Sequence, residues 1–248
     1  MQDRGPAAYI AEFIGTFVLV FAVVMVVVGY VPPASPTTGV APFQDFAVVG
    51  LVHAFVLFFL IQTLAVISGA HFNPAVTLGL AAIRQIRLVD AGIYMVMQLA
   101  GATLGALLAK QLVADSAGDA VNLGAPGLQG DVGTVAAMGA EAIGTFFLVW
   151  AIVGIAINPA GQKDWSGFAI GATLGFAVMI IGPLTGGSFN PARAFGPAIV
   201  AHHFGDAGKW LLVYVLAAGI GAIVAAAGYF WLFIQPGKKG VAGMEPVG

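Results

Sequence analysis

Six long apolar segments restrict the folds open to this chain more than any other feature of its sequence. A helix needs about 20 predominantly apolar residues to cross the hydrocarbon core of a bilayer. The segments lie near residues 7–30, 46–67, 89–112, 134–157, 166–184 and 208–234. Only 8% of the residues are charged, whereas a soluble domain carries about 25%. The sequence therefore predicts an all-α, multi-pass membrane protein.

The chain also contains an internal duplication. The sequence AEFIGTFVLVF at 11–21 reappears as AEAIGTFFLVW at 140–150. ISGAHFNPAVTLGLA at 67–81 reappears as LTGGSFNPARAFGPA at 184–198, with seven of fifteen positions identical. Because three spans fall in each copy, the second copy must cross the membrane in the opposite sense. This pattern predicts an inverted 3+3 repeat, which places a site near the midplane where two broken helices meet.

Two shorter apolar pieces, about 73–83 and 190–201, are too short to cross a membrane, and each begins with Asn-Pro-Ala. The two triplets are Asn73, Pro74, Ala75 and Asn190, Pro191, Ala192. Proline suits the first turn of a helix because its missing N–H has no partner to lose, and asparagine is a good N-cap. Non-helical backbone at membrane depth is tolerated only where it is buried in protein or lines a cavity. We therefore predict two re-entrant half-helices whose positive N-terminal ends meet at a pore and repel cations.

Basic residues predict the orientation of the chain in the membrane. With the termini inside, six basic residues would be cytoplasmic: Arg4, Arg84, Arg87, Lys163, Lys238 and Lys239. Only Lys110 and Lys209 would lie outside, so both termini are predicted to be cytoplasmic. We expect one channel domain over residues 1–248, with repeat one at about 7–112 and repeat two at about 134–234. A short cytoplasmic tail is expected at 235–248.

The motifs SGAHFNPAVT and GGSFNPARAFGPA resemble the signatures of the aquaporin (major intrinsic protein) family. The resemblance extends from the AEFIGTF stretch to the end of the sixth span. It implies a right-handed bundle of six transmembrane helices with two half-helices. It also implies a homotetramer in the cell membrane, in which each subunit has its own pore. Such a pore passes water or small neutral solutes and excludes protons and ions.

The resemblance also indicates which residues select the solute. Arg193 directly follows the second Asn-Pro-Ala. Inserting an arginine at membrane depth costs about 2.5–3.5 kcal/mol, so this residue is expected to be paired or functional. By their distances from the two motifs, His53, Val178 and Gly187 are the other filter positions. Typical water-only members have Phe in place of His53 and His in place of Val178. The alternative for His53 is a packed histidine that hydrogen-bonds a neighbouring helix.

The four filter residues leave the range of solutes open. They resemble those of the plant vacuolar aquaporins that pass ammonia as well as water, although the 115–133 loop lacks the histidine that some of those proteins contribute. Glycerol facilitators carry Asp and Lys where this chain has Ala194 and Ala198, which favours water. Val178 and Gly187 nevertheless permit a glycerol or small-polyol facilitator. An inverted repeat alone would also allow a secondary transporter, but this sequence lacks the charged relays that ion coupling needs.

Several polar residues within the spans are expected to support the pore. Glu12 and Glu141 occupy equivalent repeat positions and should accept hydrogen bonds from the backbone of the Asn-Pro-Ala loops; the alternative is a proton relay. Gln98 should make a helix–helix hydrogen bond. His71, two residues before Asn73, should lie at the cytoplasmic pore mouth.

The remaining composition excludes several other functions. The sequence contains no cysteine, which rules out disulfides and thiolate metal sites. We find no nucleophile–base pair, metal-ligand cluster or phosphate loop, so no enzymatic activity, metal or cofactor is predicted. The net charge of −2 gives no electrostatic reason for a nucleic-acid partner. The expected partners are water, small neutral solutes and the lipid bilayer.

Overall fold

The computed structural model describes residues 5–31, 45–128 and 130–235. Two sequence predictions lie outside these residues. They are the turn that the sequence PPASPTTG predicts at 32–39 and, apart from Gln235, the tail at 235–248. Of the basic residues used to predict orientation, Arg4, Lys238 and Lys239 are also outside.

Ten α-helices make up the described chain, which contains no β-strand. In order they are α1 (Pro6–Tyr30), α2 (Phe46–Ser68), α3 (Pro74–Ala82), α4 (Leu88–Leu112), α5 (Asp115–Ala120), α6 (Thr134–Ala151), α7 (Ser166–Thr185), α8 (Pro191–Val200), α9 (Ala207–Leu211) and α10 (Ala218–Tyr229). α3 and α8 are the two short helices that begin at Pro74 and Pro191. Their positions correspond to the half-helices expected at 73–83 and 190–201.

Six segments are long and apolar enough to cross a membrane. They are Pro6–Tyr30, Phe46–Ser68, Leu88–Leu112, Thr134–Ile157, Lys163–Thr185 and Ala207–Ile234. Large apolar side chains on these segments point outward, with Val66 90% and Val96 65% exposed. An exterior of this kind suits hydrocarbon rather than water. The predicted fold, six spans with two half-helices, is confirmed.

Three turns of π-helix interrupt the spans of the second repeat, and the sequence did not predict them. α6 continues into Ile152–Ile157, α9 joins α10 through Leu212–Ala217, and α10 continues into Phe230–Ile234. π-helical turns are rare and occur mostly as single insertions within α-helices, frequently near functional sites. The first of them supplies Ile152 and Ala156 to the wall of the central cavity described below.

The segment 115–133 connects the third and fourth spans, as its glycines and aspartates predict. It contains α5 and a 3₁₀ turn at Asn122–Gly124. Leu123 is only 2% exposed and belongs to the main core. Its burial, and the close approach of Gly124 to Val27 of α1, hold this segment against the bundle.

Small residues allow the spans to approach closely, as is common in membrane bundles. A Cβ added at Gly101 of α4 would overlap the backbone carbonyl of Phe13 in α1. One added at Gly175 of α7 would lie 2.6 Å from the carbonyl oxygen of Gly50 in α2. These two contacts bring α1 against α4 and α2 against α7, so that the half-helices are enclosed by the bundle.

Candidate functional site

The two half-helices begin in the same way. Asn73 is the N-cap of α3, and its Oδ1 accepts a hydrogen bond from the Ala75 N–H at 2.8 Å. Asn190 is the N-cap of α8, and its Oδ1 accepts from the N–H groups of Ala192 at 2.9 Å and Arg193 at 3.2 Å. Proline follows each asparagine at the first helical position. Each asparagine therefore satisfies N–H groups that a helix start would otherwise leave unpaired.

The asparagine amides connect the two repeats. Asn73 Nδ2 donates to the carbonyl oxygen of Phe189 at 2.8 Å, and Asn190 Nδ2 donates to the carbonyl oxygen of Phe72 at 2.9 Å. An amide nitrogen carries two hydrogens, so each asparagine keeps one N–H for another acceptor. Both side chains line the central cavity. The pair therefore presents two hydrogen-bond donors to whatever occupies that cavity.

The loop before each half-helix has an unusual backbone. Ala70, Phe72 and Phe189 have φ values of +53°, +48° and +52°, in the left-handed region that residues with a Cβ seldom adopt. Each such residue costs on the order of 1 kcal/mol. The two phenylalanines are at most 1% exposed. Hydrogen bonds and packing around the loops must therefore hold this conformation.

A buried carboxylate holds each loop. Oε1 of Glu12 accepts hydrogen bonds from Ser68 Oγ at 2.6 Å and from the His71 N–H at 2.9 Å. Oε2 accepts from the Phe72 N–H at 2.6 Å and from Gln98 Nε2 at 2.8 Å. Four donors thus converge on one carboxylate in α1, and two of them belong to the loop backbone.

Glu141 of α6 occupies the equivalent place in the second repeat. Its Oε1 accepts from Thr185 Oγ1 at 2.6 Å and from the Ser188 N–H at 3.0 Å, and its Oε2 accepts from the Phe189 N–H at 2.7 Å. Because every one of these groups donates to the carboxylate, Glu141 acts here as an acceptor that fixes the loop. The contacts of both glutamates are those expected of structural supports.

Gln98 and His71 both contact the hydroxyl of Thr77. Gln98 of α4 donates from Nε2 to Thr77 Oγ1 of α3 at 3.0 Å as well as to Glu12 of α1, which joins three helices. His71 Nδ1 lies 3.1 Å from the same Thr77 oxygen, and its ring packs edge-on against Tyr94. His71 also lines the central cavity, at 6% exposure. Its proposed place at a pore mouth is compatible with this position.

A narrow cavity of about 80 Å³ runs between the helices. Apolar side chains of α1, α2, α3, α6 and α7 form most of its wall. The polar side chains that line it include His53, His71, Asn73, Ser188, Asn190 and Arg193. The structure thus brings together both asparagines, the arginine and two of the predicted histidines around one space.

Arg193 is held in place by a loop that sequence reasoning did not connect with it. Its Nη1 donates to the carbonyl oxygen of Gly124 at 2.9 Å, and the residue is only 2% exposed. Within the described chain, its Nε is buried without a hydrogen-bond partner. Gly124 has a φ of +71° and ends the 3₁₀ turn at Asn122–Gly124. The Asn-Leu-Gly run is typical of a turn, but nothing in it indicates contact with an arginine 69 residues away.

The hydrogen bond of His53 fixes which of its nitrogens can accept. Nδ1 lies 2.8 Å from the carbonyl oxygen of Val49, so Nδ1 carries the hydrogen. In neutral His53, Nε2 is therefore an acceptor. Nε2 is buried and has no partner among the described residues. Since His53 lines the cavity, the site combines a donor, Arg193, with an acceptor, His53.

Val178 and Gly187 are placed differently from His53 and Arg193. The two residues are neighbours in space: a Cβ added at Gly187 would lie 3.4 Å from the Cα of Val178. Val178 is fully buried. Neither residue is part of the lining of the 80 Å³ cavity, which includes the neighbouring Ser188 instead. Their assignment to the filter therefore stays a prediction.

The geometry agrees with the comparison to protein families, in which the major intrinsic protein model matches residues 5–229. The chain belongs to the major intrinsic protein family. Members of this family are channels, and a non-enzymatic role is consistent with that membership. The expected family resemblance is confirmed.

Individual relatives of this major intrinsic protein come from archaea, bacteria and plants. It is 35% identical over 235 residues to aquaporin AqpM of Methanothermobacter thermautotrophicus, covering 90% of this chain and 96% of that protein. It is 37% identical over 218 residues to glycerol uptake facilitator protein-like 6 of Lactiplantibacillus plantarum, covering 88% and 94%. Aquaporin TIP2-3 of Zea mays is 36% identical over 248 residues, covering 97% and 90%.

A solved structure shares the fold of this major intrinsic protein. The aquaglyceroporin from Plasmodium falciparum superimposes with a TM-score of 0.77 at 24% sequence identity, covering 94% of this chain and 99% of that chain. At this identity the likeness shows the fold alone.

Proposed function

We propose that this chain is a passive channel that conducts water across a membrane and excludes protons and ions. The observation that carries the proposal is the pair of asparagine amides, Asn73 and Asn190, presented to a narrow cavity by two opposed half-helices. Two helix N-termini concentrate positive potential where they meet. A cation is repelled there, whereas water can accept a hydrogen bond from either amide.

His53 and Arg193 form the proposed selective constriction. Arg193 supplies a fixed positive charge and N–H donors, and neutral His53 supplies an acceptor at Nε2. A water molecule can both accept from the arginine and donate to the histidine. Val178 and Gly187 complete the proposed filter on the opposite wall, and His71 marks the other mouth of the pore.

Stopped-flow light scattering on proteoliposomes tests the water proposal. We expect water permeability well above that of protein-free liposomes, with no increase in proton conductance under an imposed pH gradient. Water permeability equal to that of protein-free liposomes, at confirmed protein incorporation, would contradict the proposal.

Ammonia is a second candidate solute, favoured by the unpartnered Nε2 of His53. An ammonia molecule can donate to this nitrogen as water does. The His53→Phe variant removes the acceptor and adds bulk, so we expect ammonia permeability to fall about tenfold, the equivalent of one lost hydrogen bond. Internal alkalinisation of vesicles loaded with a pH dye measures this flux.

The same substitution at an exposed histidine, His203→Phe, is the matched control and should leave both fluxes unchanged. If wild-type vesicles show no ammonia-driven alkalinisation above background, the channel does not pass ammonia. If His53→Phe lowers neither flux, His53 is a packing residue and not part of the filter.

Glycerol remains the alternative solute, because one relative bears the name glycerol uptake facilitator protein-like 6. Ala194 and Ala198 of α8 are fully buried and offer no polar side chain at the positions where facilitators carry Asp and Lys. We therefore expect glycerol permeability close to background. Glycerol-induced reswelling of the same proteoliposomes separates the two possibilities.

Assembly and orientation are further parts of the proposal. We infer a homotetramer from the family resemblance, and native mass spectrometry of the purified protein tests it.

We also infer cytoplasmic termini. Tyr9 OH donates to Asp90 Oδ1 at 2.6 Å, which places the start of α1 beside Arg84 and Arg87 at one end of the bundle. Protease access to a tag on either terminus, in sealed inside-out vesicles, checks the orientation.

A further inference from the structure

A surface cavity lies outside the pore, where α3 ends and α4 begins. Its volume is about 710 Å³. Two arginines, Arg84 and Arg87, and two aliphatic residues, Leu88 and Val89, are part of its lining, and among the described residues no acidic side chain is. Neither the proposed conduction of water nor its selectivity involves this cavity.

One of the two arginines is fixed to the bundle. Arg87 Nε donates to Asp90 Oδ2 at 2.7 Å, and Asp90 also accepts from Tyr9. Asp90 is fully buried, while Arg87 remains 45% exposed at the side chain. The carboxylate therefore lies behind Arg87 and fixes the position of its guanidinium at the cavity.

Arg84 supplies a second positive charge at the cavity. It lies in a turn with a φ of +59°, in which the Arg84 N–H donates to the Ala81 carbonyl oxygen at 3.0 Å. The next N–H, of Gln85, donates to the Leu80 carbonyl oxygen at 2.9 Å. These bonds fix the backbone at the end of the half-helix. The side chain is exposed and makes no ion pair with any residue in the described ranges.

The apolar part of the lining indicates what kind of anion fits. Leu88 is 80% and Val89 73% exposed at the start of the Leu88–Leu112 span. Residues at the first turn of a span lie where acyl chains meet headgroups, and arginines next to them lie at the depth of the lipid phosphates. A soluble phosphate ion would contact the arginines alone. A phospholipid supplies the phosphate and the hydrocarbon together.

We propose that this cavity binds the headgroup phosphate of an anionic phospholipid, held by Arg84 and Arg87, with an acyl chain over Leu88 and Val89. In the orientation proposed above, the lipid belongs to the cytoplasmic leaflet, where anionic lipids attract basic residues. The bound lipid covers the end of half-helix α3, and so stabilises the segment that carries Asn73.

Native mass spectrometry of the full-length protein in detergent, titrated with phosphatidylglycerol or phosphatidylcholine, tests this site. We expect tighter binding of phosphatidylglycerol. Arg84→Gln should weaken its binding about fivefold, the effect of one cation near an anionic headgroup. Arg84→Lys, which keeps the charge, should retain most of the affinity. Lys163→Gln removes an exposed cation from the first residue of the fifth span, outside the lining of this cavity, and should leave binding unchanged.

Three outcomes would overturn the proposal. They are equal binding of the two lipids, an equal effect of Arg84→Gln and Lys163→Gln, and displacement of phosphatidylglycerol by millimolar inorganic phosphate, which would indicate a soluble-anion site. Arg84→Gln proteoliposomes should keep wild-type water permeability. Failure of lipid binding is therefore distinguishable from failure of the channel proposal.

Discussion

Replacing Glu12 by glutamine is expected to lower the free energy of unfolding by on the order of 3 kcal/mol. Each carboxylate oxygen of Glu12 accepts two hydrogen bonds. A glutamine of the same size has one oxygen and one NH₂ group. In either orientation of the amide, the NH₂ group faces a backbone N–H of the loop, that of His71 or that of Phe72, which is then buried without an acceptor. Because proteins are stable by only 5–15 kcal/mol, the loss is large.

Thermal unfolding of the purified protein in detergent, followed by tryptophan fluorescence, measures this effect. Asp119→Asn, at an exposed acid of α5, is the matched control and should leave the unfolding temperature unchanged. Glu141→Gln should reproduce the loss, because three donors converge on Glu141 in the second repeat. An unfolding temperature for Glu12→Gln equal to that of the control would show that the carboxylate does not hold the loop.

Gly15→Ala is expected to displace Phe72 and to reduce water permeability toward that of protein-free vesicles. A Cβ at Gly15 of α1 would overlap the ring of Phe72, which is 1% exposed and has no room to move outward. Overpacking of this kind costs about 1–3 kcal/mol. The carbonyl oxygen of Phe72 is the acceptor for Asn190. A shift of the ring therefore disturbs both halves of the pore.

Stopped-flow permeability per incorporated protein provides the measurement. The matched control is Gly139→Ala in α6, where an added Cβ meets no heavy atom within 4 Å. Adding Phe72→Leu to Gly15→Ala should partly restore permeability, because the smaller side chain relieves the overlap. If Gly15→Ala conducts like Gly139→Ala, the contact with Phe72 does not position the loop.

The sequence predicts the spans and half-helices well because their causes are local. Hydropathy over about 20 residues defines a span. A Pro after an Asn defines a helix start, which is why α3 and α8 begin one residue after Asn73 and Asn190. The duplication adds the equivalence of Glu12 and Glu141. The π-helical turns were missed because a single extra residue in a turn leaves the hydropathy of a span unchanged.

Contacts between distant segments were harder to predict. Nothing in the sequence indicates that Asn73 donates to the carbonyl oxygen of Phe189, or that Gly124 accepts from Arg193. A backbone carbonyl has no residue-specific signal, and its position depends on the packing of the whole bundle. Val178 and Gly187 were assigned by resemblance alone, and the cavity lining does not include them.

The hydrogen bonds between Asn73 and Phe189 and between Asn190 and Phe72 have a consequence for biosynthesis. Their partners are separated by 116 and 118 residues along the chain. At a translation rate of about 5–20 residues per second, the ribosome needs roughly ten seconds to make that length. During this interval the second-repeat partners of the Asn73 amide and the Phe72 carbonyl do not yet exist. Completion of the first half of the molecule must therefore wait for synthesis of the second.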